Sequence, residues 1–260
     1  MAGKVRIFGR QGDQYEVFSL LRGSNMGQEP LGTILELPDG REYCFSINGG
    51  VAAAAGNLNQ AALPISNHEN RSADTARAVG AEVISATVGA TAAAQDLYSE
   101  GLAHIDVGSG AGQGYAYRIK RAFAKGDAHA AFVGSDAITV NLADGERIKV
   151  ALVVTTSKVT YTHHRFRNTL IHDSPPTAGL AGVTSYAAAA SIPVWQQVKG
   201  AAAVLTSGTL VIGDPCVPSA TVDGAVMPSA ASETDGPYMG FVRHVNATST
   251  WSLIDLKLGS

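Results

Sequence analysis

IPVWQQVKGAAAVLTSGTLVIGDPCVPSATVDGAVMPSAASETDGPYMGFVRHVNATSTWSLIDLKL, residues Ile192–Leu258, decides the fold class of this chain. Short apolar and β-branched runs are cut at close intervals by Gly, Pro, Asp-Gly and Ser-rich clusters, the pattern of a compact all-β unit. Val194, Gln196 and Val198 alternate with Trp195, Gln197 and Lys199 at the start, and Asp223-Gly224 and Asp235-Gly236 mark turns. Basic charge is confined to Lys199, Arg243 and Lys257. The stretch offers packing and turns but no evident group for chemistry.

The same style extends back to Gly32. GTILELP and REYCFSI flank Asp39-Gly40, a strong short hairpin signal, with Tyr43, Phe45 and Ile47 on one face of the return strand. In EVISATVG, Val83, Ser85 and Thr87 alternate with Ile84, Ala86 and Val88. AQDLYSEGLAHIDVGSGAGQGYAYRIKRAF reads as strand, Gly-rich turn and strand, with Tyr115, Tyr117 and Ile119 opposite Ala116, Arg118 and Lys120. AITVNLADGERIKVALVVTT predicts another hairpin with Asp144-Gly145 at its tip and Ile148, Val150, Leu152 and Val154 as its inner row. The expected fold is mainly β: β-sandwich or barrel-like units, an extended N-terminal arm and few short helices.

Three segments set the expected organisation. Residues 1–30, with the polar linker RGSNMGQEP, read as an N-terminal arm. Residues 48–81 are rich in Ala, Asn, Gly and Ser and read as a long extended surface connection, with partial disorder as the competing reading. Pro175-Pro176 suggests a boundary, which gives a β-rich domain over 31–175 and a C-terminal β unit over 176–260, or one continuous domain.

Composition narrows the functions. Charged residues make up 16% of the chain, well below the usual share of about a quarter, and the formal net charge of -3 argues against a dedicated nucleic-acid binder. The first residues carry charges and no signal-peptide core, and no run reaches the length of a membrane span, so a soluble, cytoplasmically made protein without a membrane partner is expected. The sequons at Asn70 and Asn246 therefore carry little weight. Cys44 and Cys216 are too few and too distant for a disulfide scaffold or a metal motif.

Each chemical constellation has a simpler structural reading. The glycines of GSGAGQG, Gly108–Gly114, miss the G-x-G-x-x-G spacing and precede a strand, so a turn is expected instead of a phosphate cradle. His163, His164 and His172, with Asp173 adjacent, are the best metal candidates, yet neighbouring histidines in a strand point to opposite faces. His68 lacks the second histidine of H-E-x-x-H. Arg118, Lys120, Arg121, Lys125, Arg165 and Arg167 read as a solvated face or a polar protein contact, because the neighbouring tyrosines lie on the other side. Asp96 and Glu100 are an acidic pair of a kind that arises by chance. Trp195 and Trp251 are of a type that stacks on sugars, but packing is the commoner fate of Trp. No catalytic residue, cofactor site or metal site is assigned.

Three blocks carry a resemblance. LGTILELPDGREYCFSINGGVAAAAGNLNQ (Leu31–Gln60) joins two strands through an Asp-Gly-Arg turn and ends in an Ala-rich segment. LYSEGLAHIDVGSGAGQGYAYRIKR (Leu97–Arg121) sets Tyr-x-x-Gly before a Gly-rich turn and a Tyr-x-Ile strand. IPVWQQVKGAAAVLTSG (Ile192–Gly208) leads into Gly-rich strands. In succession they resemble the virion structural proteins of tailed bacteriophages, in particular capsid decoration (cement) proteins. The resemblance implies a non-enzymatic protein on the outer surface of the virion, with the major capsid protein and its own copies, as a dimer or trimer, for partners. The alternative from a different class is a tail-fibre or other carbohydrate- or receptor-binding module. A β-rich hydrolase is the third reading and lacks a recognisable nucleophile.

Overall fold

The computed structural model describes residues 29–107, 112–121, 137–229, 237–247 and 250–258, and the main chain of 6–8. Its strands are β1 (Arg6–Phe8), β2 (Ile34–Glu36), β3 (Glu42–Ile47), β4 (Leu58–Gln60), β5 (Arg71–Ser72), β6 (Val83–Thr87), β7 (Leu102–Val107), β8 (Ala116–Arg118) and β9 (Ala137–Asn141). They continue with β10 (Lys158–Thr162), β11 (Leu170–Ile171), β12 (Leu180–Thr184), β13 (Pro193–Leu205), β14 (Pro215–Pro218), β15 (Val226–Pro228), β16 (Gly240–His244) and β17 (Trp251–Lys257). One 3-10 turn, Ser66–His68, is the helical element among the described residues. The protein is mainly β.

The chain forms two compact units, one from 1–63 with 165–260 and one from 64–164. This division departs from the expected boundary at Pro175-Pro176. That step lies between β11 and β12, and both strands pair with β4, so the chain on either side of the prolines belongs to one sheet. Of the expected arm, β1 adds to the sheet edge as a parallel partner of β2. Most of its other residues lie outside the described residues.

In the 64–164 unit the strands run β5-β10-β7-β8, and β6 pairs with β9. Bridges from Ile119 to Leu142 and from Ala73 to Ala86 join the two sheets at both margins, which closes a barrel. Closure leaves few free edges for unwanted pairing. Period-two alternation turns Ile84, Ala86, Ile105, Tyr117, Ile138, Val140, Val159 and Tyr161 into its buried interior. The β6 alternation and the burial of Tyr117 and Ile119 follow the sequence expectation, but Tyr115, expected on the same buried face, is exposed just before β8 begins. The Asp144-Gly145 hairpin does not follow it either. β6 occupies one edge of β9, while Lys120 N–H bonds to Asn141 O at 2.8 Å on the other. No edge is left for a return strand. The returning chain bonds instead to 77–81, as in Leu152 N–H to Arg77 O at 2.8 Å, so Ile148 and Leu152 are buried but Val154 is exposed.

In the other unit the 13-residue β13 is the spine. Its first half pairs with β3 on one edge and β12 on the other; its second half pairs with β17. From there the order β17-β16-β14-β15 curls until Val226 bridges Thr206, just past the end of β13, and a second barrel-like ring closes. Ala202, Val204, Cys216, Met239, Val242, Ile254 and Leu256 fill it. The Asp39-Gly40 turn joins β2 and β3 as predicted, with Gly40 N–H bonded to Leu37 O at 3.0 Å and Leu37 N–H to Arg41 O at 2.9 Å. Both faces of this hairpin are buried: Leu35, Tyr43, Phe45 and Trp195 pack on one, Ile34, Cys44 and Val198 on the other.

The 48–81 segment is not one surface connection. Leu58, Asn59 and Gln60 are buried in β4, and the segment passes from one unit into the other. The amide NH2 groups of Asn59 and Gln60 are hydrogen-bonded inside, although Asn59 Oδ1 has no partner among the described residues. Asn59 Nδ2 donates to Asn57 O at 3.0 Å and Thr184 Oγ1 at 3.1 Å, and Gln60 Nε2 donates to Asp173 Oδ2 at 3.0 Å.

Candidate interaction surface

The histidines do not assemble. His163 lies against the Tyr98 ring at 5.1 Å in the 64–164 unit, whereas His172 is buried in the other. Both His172 ring nitrogens face main-chain carbonyl oxygens, Nδ1 that of Asp173 at 2.6 Å and Nε2 that of Ala225 at 2.7 Å, so neither is presented to a metal. Asp173 accepts hydrogen bonds from Gln60 and Thr177. His68 is buried too, with Nδ1 at 2.5 Å from Tyr98 Oη and Nε2 at 2.8 Å from Thr91 O. Among the described residues no group of three or more His, Cys, Asp or Glu is arranged to hold a metal ion.

The basic residues are dispersed. Arg121 pairs with Glu100 at 3.0 Å, Lys120 lies 4.0 Å from Asp144, and Arg165 donates to Leu180 O while its guanidinium sits 5.5 Å from the Phe166 ring centre. Arg118 is exposed on β8, and Lys125 lies outside the described residues, as do Gly108 to Ala111 of the Gly-rich turn. Cys44 and Cys216 form no disulfide and are buried, and burial pushes the Cys216 thiol up to about 12.

One constellation escaped the sequence reading. His104 Nε2 lies 2.5 Å from Asp106 Oδ1, and Thr160 Oγ1 donates to Asp106 Oδ2 while it accepts Asn70 N–H at 2.7 Å. The signal was His-x-Asp on a strand, since period two puts both side chains on one face. The order of bonds is wrong for a nucleophile, however. The carboxylate sits between hydroxyl and imidazole, so the Thr160 proton is held by Asp106 and not handed to a base.

The two tryptophans take opposite fates. Trp195 is buried, edge-on to Phe45 at 5.3 Å. Trp251 is 52% exposed on the outer face of the β13-β17-β16 sheet, in a row with Leu253, Asp255 and Lys257. Register places Phe241 opposite Asp255 on that face, and Tyr238 meets the Phe241 ring edge-on at 5.3 Å. Lys257 Nζ lies 5.4 Å from the same ring centre, and Arg243 pairs loosely with Asp255 at 3.5 Å. Beside β16, the turn 211–214 exposes Val211 and Ile212, with Gly213 N–H bonded to Val242 O at 2.8 Å. This unit therefore presents Tyr238, Phe241, Trp251, Val211 and Ile212 to solvent, interspersed with Asp214, Arg243, Asp255 and Lys257. Rigid aromatics on a regular sheet suit recognition, because little side-chain freedom is lost when they are covered.

Two depressions adjoin this sheet. One, of about 490 Å³, lies between Trp251, Arg41, Gly56, Gln197 and Ala203; the other, of about 580 Å³, lies between Arg165, Pro176, Tyr238, Lys257 and Leu258. Comparison with family models, curated proteins and solved structures finds no match to the chain.

Proposed function

We propose that the protein is a non-enzymatic virion structural protein that binds the outer surface of a tailed-phage capsid and stabilises it. The observation that carries this reading is the set of exposed aromatic side chains Tyr238, Phe241 and Trp251 on and beside the β16-β17 face of a curled sheet. A decoration protein adds buried interface across lattice subunits, and a specific interface needs on the order of 1,200–2,000 Å². Tyr238, Phe241 and Trp251 supply the type of side chain that dominates such contacts. The partners are the major capsid protein and further copies of this chain, as a dimer or trimer; neither nucleic acid nor membrane is part of the reading. The virion surface is its place of action. In this arrangement the exposed parts of 48–81 lie at subunit interfaces; the same expectation for 2–30 falls almost wholly outside the described residues.

The test is co-sedimentation of purified protein with isolated capsids of the phage that encodes it, followed by imaging of the occupied lattice sites. Phe241→Ala with Tyr238→Ala is expected to weaken binding at least tenfold while leaving the far-ultraviolet circular dichroism unchanged. Wild-type protein that stays in the supernatant at saturating capsid overturns the proposal. Light scattering of the free protein checks the oligomer.

A further inference from the structure

The groove beside Trp251 has features that a protein-binding face does not require. The pyrrole edge of the indole lies against Gly56, whose φ of +83° and lack of a side chain permit the approach; a Cβ there would stand 2.2 Å from the ring. Trp251 Nε1–H donates to Ala55 O at 3.0 Å. The ring is thus fixed in orientation while half of its surface stays open.

The groove floor is a gap in the β ladder. β3 accompanies β13 only as far as Lys199, and Leu205 N–H is taken by Gly56 O at 2.9 Å. By alternation from Leu205, Ala201 and Ala203 turn their main-chain polar groups to the same side, away from β17. Gln197 Nε2 already occupies Ala201 O at 2.9 Å, which leaves the Ala201 and Ala203 N–H groups directed into the groove without a partner among the described residues. At about 3.3 Å per residue the stretch from Lys199 to Leu205 measures about 20 Å, and Arg41 packed at Gly200 and Gly56 packed at Ala203 O narrow its open part to about 10 Å. Arg41 closes one end and Gly56 the other, so an added peptide strand has no room to continue, whereas one ring-sized ligand fits.

The rim is polar and close to neutral. Arg41 Nε is paired with Asp39 at 2.7 Å and Nη1 donates to Tyr43 Oη at 3.3 Å, so the charge is balanced while Nη2 remains available. An open apolar ring, two main-chain donors and a neutralised guanidinium match a ligand with an axial C–H face and equatorial hydroxyls. We infer that this groove is a subsite for one neutral sugar ring of a glycan. The groove shares Trp251 with the capsid-contacting set, but Ala201 and Ala203 lie on β13, away from Phe241 and Tyr238, so substitutions at Ala203 and at Phe241 with Tyr238 test the two readings separately.

Calorimetric titration of the full chain with neutral oligosaccharides of glucose, galactose and N-acetylglucosamine tests the inference. At least one series is expected to bind saturably and to shift the fluorescence of Trp251, Trp195 being buried. Trp251→Ala is expected to weaken that binding at least tenfold. Ala203→Leu, which fills the groove and leaves the indole in place, should do the same while keeping the circular dichroism and the capsid binding of the wild type. Wild-type protein that binds none of the three series overturns the inference. So does undiminished sugar binding by Ala203→Leu, or a groove that takes extended peptides in preference to sugars.

Discussion

The two units close their β structure in similar ways but fill it differently. The 64–164 barrel holds a continuous apolar interior around Tyr98, Tyr117 and Tyr161, with Tyr98 and Tyr161 stacked at 5.5 Å. The hydroxyls are partnered: Tyr161 donates to Ile138 O at 3.0 Å and also meets the Ala86 main chain, Tyr117 accepts Lys149 N–H at 3.1 Å, and Tyr98 meets His68. The other unit buries Asn48, Asn59, Gln60, Gln196 and Gln197 beside its apolar clusters. These amides stitch irregular segments to the strands where a ladder alone does not reach. One unit is stabilised by filling space and the other, in part, by amide NH2 groups that satisfy carbonyls, although Asn59 Oδ1 and Gln196 Oε1 are buried without a partner among the described residues.

The comparison breaks most readily at Tyr161. Tyr161→Ala opens a cavity in the fully buried barrel centre and is expected to cost about 3–5 kcal/mol, whereas Tyr161→Phe removes only the hydroxyl and costs about 1 kcal/mol. Hydrogen exchange should place the lost protection in 64–164; an even loss across both units would contradict the division. In the amide-rich unit, Asn48 Nδ2 donates to Val51 O at 2.9 Å and Ala189 O at 2.8 Å. Asn48→Leu keeps the bulk but strands both carbonyls, with an expected cost of about 1–3 kcal/mol in denaturant titrations. If it proves neutral, the polar stitching contributes nothing.

Alkaline pH separates the units further. Burial raises the pKa of Tyr98 and Tyr161 in the barrel, and in the other unit it raises Tyr43 and pushes Cys216 up from 9.0 to about 12. The folded state therefore retains protons that the unfolded chain releases. The stability these groups contribute is complete below about pH 9 and falls as pH rises, by up to about 1.4 kcal/mol per pH unit for each retained proton. Cys216 begins to act near pH 9 and the tyrosines nearer 10, so Cys216→Ala should flatten the unfolding profile between those values. A profile unchanged by that substitution would remove the thiol from the account.

Local patterns were legible where a strand has one buried face, as at Ile84 and Ala86 or Tyr117 and Ile119. They were misleading where burial is polar. Asn59 and Gln60 look like loop residues by type, and only partners more than a hundred positions away make them interior. The same distance effect hid the unit boundary, since β4 is paired by strands on the far side of the 64–164 segment. Trp251 was a recognisable candidate by residue type, but its row does not show inward or outward orientation. That is set by Gly56 and Ala55, which no local period connects to it.

The smallest expected effect is also the sharpest contrast, because it uses one dipeptide in two settings. Asp39-Gly40 and Asp144-Gly145 both place glycine at positive φ, +85° and +86°, and both read as hairpin tips. At the first, Asp39 accepts Arg41 N–H at 3.1 Å and pairs with its guanidinium, and the flanking strands are hydrogen-bonded neighbours. At the second, the Asp144 side chain is 96% exposed and 4.0 Å from Lys120, and the flanking segments diverge to different partners. Asp39→Ala should therefore lower stability by up to about 1 kcal/mol, the range for a half-exposed ion pair with a local turn bond. Asp144→Ala should leave the unfolding midpoint where it is. Equal effects would mean that the turn itself sets the stability. The structure argues the reverse: an Asp-Gly turn matters to the fold only when the strands it joins have free edges to offer each other.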